Sequence, residues 1–328
     1  MPVPQVVMKA LAIFKITTFP VCLPPYLLLL WIFATKADFR NLIAYKLMVS
    51  IGLMDCLFLV QNLVAGVMTF LWDERAAECL NNKWYYINAE LPHDCTLMKI
   101  GEVFSCMRNG YVQAAPFLTF VLAFNRLTVM TNVKNKIMID LICNASIAVA
   151  WFMCLPLMFI LHYLVDTMDK ENEVDDILFE FNTDQYTYIG PESFAQWIGY
   201  FGPIMEAGVL ALTLAVVGVI ILEKKLYGAD FRISPLEARL VVQGFLIAVP
   251  LSIVNICGLQ FYRHFDVLWF NIFWQTLGTL IPVVNLVVYI VFNPPARSHM
   301  IRILVGKSNV TSVIRVSSFT GRTSIGRM

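Results

Sequence analysis

The chain has 328 residues, of which 59% are apolar and only 14% charged, with a formal net charge of +1. Soluble domains carry about one quarter charged residues, so this apolar excess cannot all be buried in one soluble core. The balance excludes an ordinary soluble domain; the near-zero net charge says nothing about nucleic acid, and no nucleic-acid partner is expected.

The apolar residues come in long blocks, and a membrane-spanning helix needs about 20 of them. The blocks predict an all-α membrane protein, a seven-transmembrane helix bundle with spans at 9–34, 41–72, 96–130, 137–165, 194–222, 235–262 and 266–292. Residues 1–8 hold two prolines and no basic residue, so the first span is expected to act as its own insertion signal. Pro24, Pro116, Pro156, Pro203, Pro250 and Pro282 fall inside spans, where packed membrane helices tolerate them. After the last span, Pro294 and Pro295 can open a helix, because a first turn does not need their missing N–H groups. Met300, Ile301, Ile303 and Leu304 alternate there with Arg297, His299, Arg302 and Lys307, predicting a short amphipathic eighth helix on the inner leaflet. The seven-helix domain thus covers 1–305. Residues 306–328 read as a disordered cytoplasmic tail rich in Ser and Thr, with Ser317, Ser318, Thr320, Thr323 and Ser324 as phosphorylation candidates.

Orientation follows from Lys and Arg, which concentrate on the cytoplasmic side. With the N-terminus outside, sixteen fall on the inner side and seven, Lys15 among them, on the outer, leaving Arg108 within a span. Residues 166–184 carry eight carboxylates against Lys170, which predicts a solvated and partly disordered outer loop, with cation binding as its functional alternative. Of eight cysteines, six lie in spans as small hydrophobes, while Cys79 and Cys95 lie in the first outer loop, where oxidation is allowed. These two are expected to pair, closing a 15-residue gap.

Ionisable groups inside a span are functional candidates by default. Asp55 lies 14 residues into the second span, about 21 Å from its inner end, and must face the bundle interior. It needs a cation or hydrogen bonds to remain an anion there. Arg108 in the third span and Glu206 in the fifth lie at similar depths below the outer surface; either they pair or Arg108 meets a ligand directly. The third span ends in Asn125 and Arg126, which places a guanidinium at the water boundary. It either snorkels to the headgroups or exchanges partners between a closed bundle and a cytoplasmic protein. Asn285 and Tyr289, four residues apart, share one face just beyond the bend expected at Pro282. They either glue helices together or make two alternative sets of hydrogen bonds.

These features resemble a rhodopsin-like seven-helix G-protein-coupled receptor. Asn125–Arg126 stands at the place of the acidic–Arg pair, Asp55 at the second-helix Asp and Pro250 at the sixth-helix proline, and Asn285 to Tyr289 is similar to the Asn-Pro-x-x-Tyr motif. The departures are Asn125 for the acid, Leu286 for the proline, Ala248 where a Trp usually precedes the sixth-helix proline, and no Asn in the first span. The second outer loop has no Cys to bridge to the third helix. Ala115 stands where a sodium-binding Ser would be, which puts a sodium site at Asp55 in doubt. The segments FNRLT at 124–128 and VNLVVY at 284–289 resemble nematode serpentine chemoreceptors of the class-gamma superfamily, over residues 10–305.

The resemblance implies a chemosensory receptor in the cell membrane of sensory-neuron cilia. Its partners would be a small-molecule ligand, a heterotrimeric G protein, arrestin and membrane lipid, with no cofactor. Arg126, held in the closed state by Glu237 or more loosely by Asp230, would couple to the G protein, with Asn125, Asn285 and Tyr289 in support. The pocket would lie in the outer halves of spans three, five, six and seven, walled by Arg108, Tyr111, Tyr200, Phe201, Phe270 and Trp274. The competing classes are a transporter, which calls for repeats or broken midplane helices, and a channel subunit, which calls for a charge ring or carbonyl filter; neither pattern is legible. A retinal protein needs a Lys deep in the seventh span, which has none. An enzyme is not expected, since His93, His162, His264 and His299 are scattered at span ends rather than clustered with a nucleophile or metal set.

Overall fold

The computed structural model describes residues 5–70, 96–131, 133, 135–157, 159–160, 180–182, 185–187, 192–227, 235–253 and 268–305. In chain order the long helices are α1 (Gln5–Thr35), α2 (Ile43–Phe70), α3 (Thr96–Met130), α4 (Lys136–Phe152), α5 (Glu192–Tyr227), α6 (Pro235–Ser252) and α7 (Leu268–Phe292), followed by α8 (Pro294–Val305). A one-turn helix, Ala37–Arg40, joins α1 to α2. Among the described residues, five of these helices are long and apolar enough to cross a membrane, and a sixth span is counted if α7 and α8 are taken as one bent pair. α7 and α8 meet at 95°. α3 has the predicted bounds, while α6 ends at Ser252 against the predicted 235–262.

Two elements differ from expectation. The fourth span does not continue as one regular helix, because α4 passes into a π turn at Met153–Leu157. Pro156 lies inside that turn and removes a backbone donor, so the regular ladder cannot run through it. The turn packs on α3 at Gly110, where a side chain would overlap the Cys154 carbonyl oxygen and come within 2.9 Å of the Cys154 Cα. Only a residue without a Cβ lets the two backbones meet so closely. Within the acidic loop, Glu180–Asn182 (β1) and Gln185–Thr187 (β2) pair antiparallel, Phe181 opposite Tyr186, where only loop was expected. Cys79, Cys95, Asp230 and the tail from 306 onward lie outside the described residues.

The core is built around α1, α2 and α3. Tyr26, Leu29, Leu47, Met54, Leu59 and Leu118 are fully buried and belong to one apolar cluster that reaches α4, α6, α7 and α8. The outer surface is apolar too: Trp31 and Leu214 are each 64% exposed and Leu141 68%. An apolar core inside an apolar exterior needs an apolar solvent, the bilayer interior, to be stable. The chain is therefore a multi-pass membrane protein.

α8 begins where predicted, and its start is anchored by a residue that went unremarked in the sequence. Asn293 caps it: the Ala296 N–H donates to Asn293 Oδ1 at 3.4 Å, and Asn293 Nδ2 donates to the Tyr45 hydroxyl at 3.1 Å. One amide thus ties α8 to α2. The His299 ring meets Phe39 edge-on with centroids 6.2 Å apart. Burial, then the charges of Lys36 and Arg302, hold His299 below its ordinary value, with Asp38 opposing. Ala296 and Met300 are buried, while Ile301, Ile303, Leu304 and Val305 remain exposed.

Candidate functional site

Asp55 is the polar centre of the bundle and is completely buried. Three side chains from three other helices donate to its carboxylate. Tyr26 of α1 gives its hydroxyl to Oδ2. Asn285 of α7 gives its amide N–H to the same oxygen at 2.9 Å, and Tyr111 of α3 gives its hydroxyl to Oδ1 at 2.7 Å. Hydrogen bonds to an ionised acceptor are the strong ones, and inside hydrocarbon an unanswered carboxylate would be costly. Asp55 thus fastens four helices together through three protein donors. Among the described residues, no group of three His, Cys, Asp or Glu is placed to hold a metal ion.

Tyr111 is one of the candidate pocket walls. It is buried, its hydroxyl is committed to Asp55, and its ring stacks on Phe58 at 4.2 Å with planes 9° apart. Of the other candidate walls, Tyr200 is 47% exposed and Phe201 half-buried. The side chains of Phe270 and Trp274 lie outside the described residues. Glu206 is buried and Arg108 half-buried. A second cation joins Arg108: Lys15, counted above with the outer surface, is 1% exposed inside the bundle and within electrostatic reach of Arg108. Its stem packs on Gly66 of α2. The correction has a simple cause, since a Lys near the predicted start of a span reads as a flanking residue when its face is unknown. Asn62, two turns from Asp55 on α2, is 1% exposed, and neither amide atom has a hydrogen-bond partner.

Toward the end of the bundle where α3 terminates, Tyr289 and Arg126 come together. Tyr289 lies one turn beyond Asn285, is fully buried, and sets its ring edge-on to Phe33 at 6.4 Å. Phe33, Phe39 and Tyr45 form a tight aromatic group beside it, with centroids 4.8 to 5.4 Å apart. Arg126 is an electrostatic neighbour of both Tyr289 and Tyr45. Arg126 is half-buried: its Nε and Nη2 are buried and have no hydrogen-bond partner, and the Tyr289 hydroxyl has none either. Asn125 beside it is buried. The backbone of Glu237 belongs to α6, while its side chain lies outside the described residues. The fold therefore brings four predicted residues into one column, Asp55, Asn285, Tyr289 and Arg126.

Three participants went unrecognised in the sequence. Tyr26 had a usable signal, since a Tyr amid leucines in a span must find a partner for its hydroxyl. Lys15 could have been weighed as an intramembrane charge. Gly244, which lies against Arg126, gave no signal at all. No protein-family model matches this sequence, and no curated protein matches it either.

Proposed function

We propose that this chain is a G-protein-coupled chemosensory receptor of seven spans, with its N-terminus outside, that binds a small molecule and activates a heterotrimeric G protein. The observation that carries the reading is the polar column. It starts at Asp55, where α1, α2, α3 and α7 are tied together, and runs along one face of α7 through Asn285 and Tyr289 to Arg126. From Tyr111, which binds Asp55, to Arg126 is 15 residues of α3, about 22 Å of helix. A column of that length lies between the end where the ligand would bind and the end where α3 terminates. A ligand acts through it only by its differential affinity for two arrangements of the helices.

In this reading the ligand lies at the Lys15 and Arg108 end, with Arg108 either meeting it or pairing with Glu206. α8 lies on the inner leaflet, its exposed Ile301, Ile303 and Leu304 in the headgroup boundary and Arg297 and Arg302 toward anionic lipid. Arrestin would share the inner surface with the G protein. The test is a small-molecule screen with a calcium readout in cells expressing the full chain. The expected result is a ligand response that disappears when heterotrimeric G-protein signalling is blocked. A response that survives the block as a current would favour a channel subunit, and uptake of the labelled ligand would favour a transporter.

A further inference from the structure

The guanidinium of Arg126 occupies a recess that α6 offers at Gly244. A Cβ built on residue 244 would lie 3.5 Å from Cζ of Arg126 and would overlap its Nη1 outright. Any other residue at 244 therefore evicts the guanidinium from this position. What would be struck is the tip of a flexible side chain, not backbone, so the arginine moves and the helices need not. The neighbouring Gln243 is also buried, yet it turns its Nε2 toward the Met48 sulfur of α2, 3.9 Å away, rather than toward Arg126. With Nε and Nη2 unpartnered, Arg126 is held here by fit between α3 and α6 rather than by bonds at those atoms. A half-buried cation held in that way is ready to leave once its seat changes shape.

We infer that Gly244 is a positioning residue for Arg126: its missing side chain is the seat that keeps the guanidinium between α3 and α6. Filling the seat releases the arginine toward the end of the bundle where α3 terminates. The consequence for signalling rests on the receptor reading above, in which a released Arg126 is available to the G protein and basal activity rises.

Two readouts on the full chain separate the seat from the receptor reading. The first is thermal unfolding of the purified protein in detergent for the parent, Gly244→Ala, Arg126→Ala and the double variant. Gly244→Ala is expected to lower the melting temperature of the parent. In the Arg126→Ala background it is expected to leave it unchanged or raise it, because alanine is the better helix former once nothing occupies the seat. Should Gly244→Ala fail to fold alone and recover with Arg126→Ala, that rescue is the same coupling. Equal shifts in both backgrounds, or no recovery, overturn the seat. The second readout is ligand-independent G-protein activation at matched surface expression, expected to rise at least twofold in Gly244→Ala and to be lost in the double variant, which lacks Arg126. Coupled unfolding with no G-protein activation by any variant would leave the seat standing and defeat the receptor reading. Activation unchanged by Gly244→Ala, in a chain that does signal, would overturn the release.

Discussion

Replacing Arg126 by alanine is expected to leave expression and ligand binding largely intact while abolishing G-protein activation. Folding should tolerate the change because Nε and Nη2 of Arg126 are buried without partners, so the substitution orphans no group at those atoms. Binding should tolerate it because Arg108, at the ligand end, lies 18 residues away on the same helix, about 27 Å. On the receptor reading signalling should not tolerate it, since in that reading this cation would change surroundings when α6 moves away and a G-protein segment enters. Asn125 cannot hold Arg126 with a full charge as an acid would, so the closed state depends more on α6. Glu237→Ala is accordingly expected to raise basal signalling. The measurement is ligand-driven nucleotide exchange at matched surface expression, and an Arg126→Ala variant that signals like the parent would sink this mechanism, whatever the fold.

The second large effect is on stability, and it belongs to Asp55. Asp55→Ala leaves the Tyr26 and Tyr111 hydroxyls and the Asn285 amide without their acceptor in the middle of the bundle. Hydrogen bonds to charged groups contribute about 1.5–3 kcal/mol each in soluble proteins, and side-chain bonds in membranes average about 0.6. Three lost together predict a destabilisation of about 2–5 kcal/mol. Asp55→Asn keeps one acceptor oxygen but turns an N–H toward the donors, so it should fall between the parent and Asp55→Ala. Tyr26→Phe and Tyr111→Phe each remove a single bond and should cost less than Asp55→Ala. Surface expression and thermal unfolding in detergent check the series. Parent-like behaviour of Asp55→Ala would mean that the four helices are held by packing alone.

What was legible in the sequence was whatever hydrocarbon makes expensive. The bounds of α3 and the start of α8 at Pro294 follow from charge and proline placement, and Asp55 had to face inward for the same reason. Partner choice was not legible. Asn285 and Asp55 are 230 residues apart, and nothing local in either helix announces the other. α1 and α2 are apolar on nearly every side, so periodicity could not tell the buried face of Lys15 or Tyr26 from the lipid face. The π turn needed Pro156 and Gly110 to be read together across two helices, and the seat at Gly244 is a missing side chain, visible only from its occupant.

Which way the bundle sits in the membrane is decisive for the receptor reading, because Arg126, α8 and the tail must all face the cytoplasm for a G protein to reach them. Epitope tags at the N-terminus, after Asp175 and after Arg327 decide it in one staining experiment. The first two should be stained in intact cells, and the third only after permeabilisation. A tag after Arg327 that is stained in intact cells would put the Arg126 end outside and contradict the receptor reading.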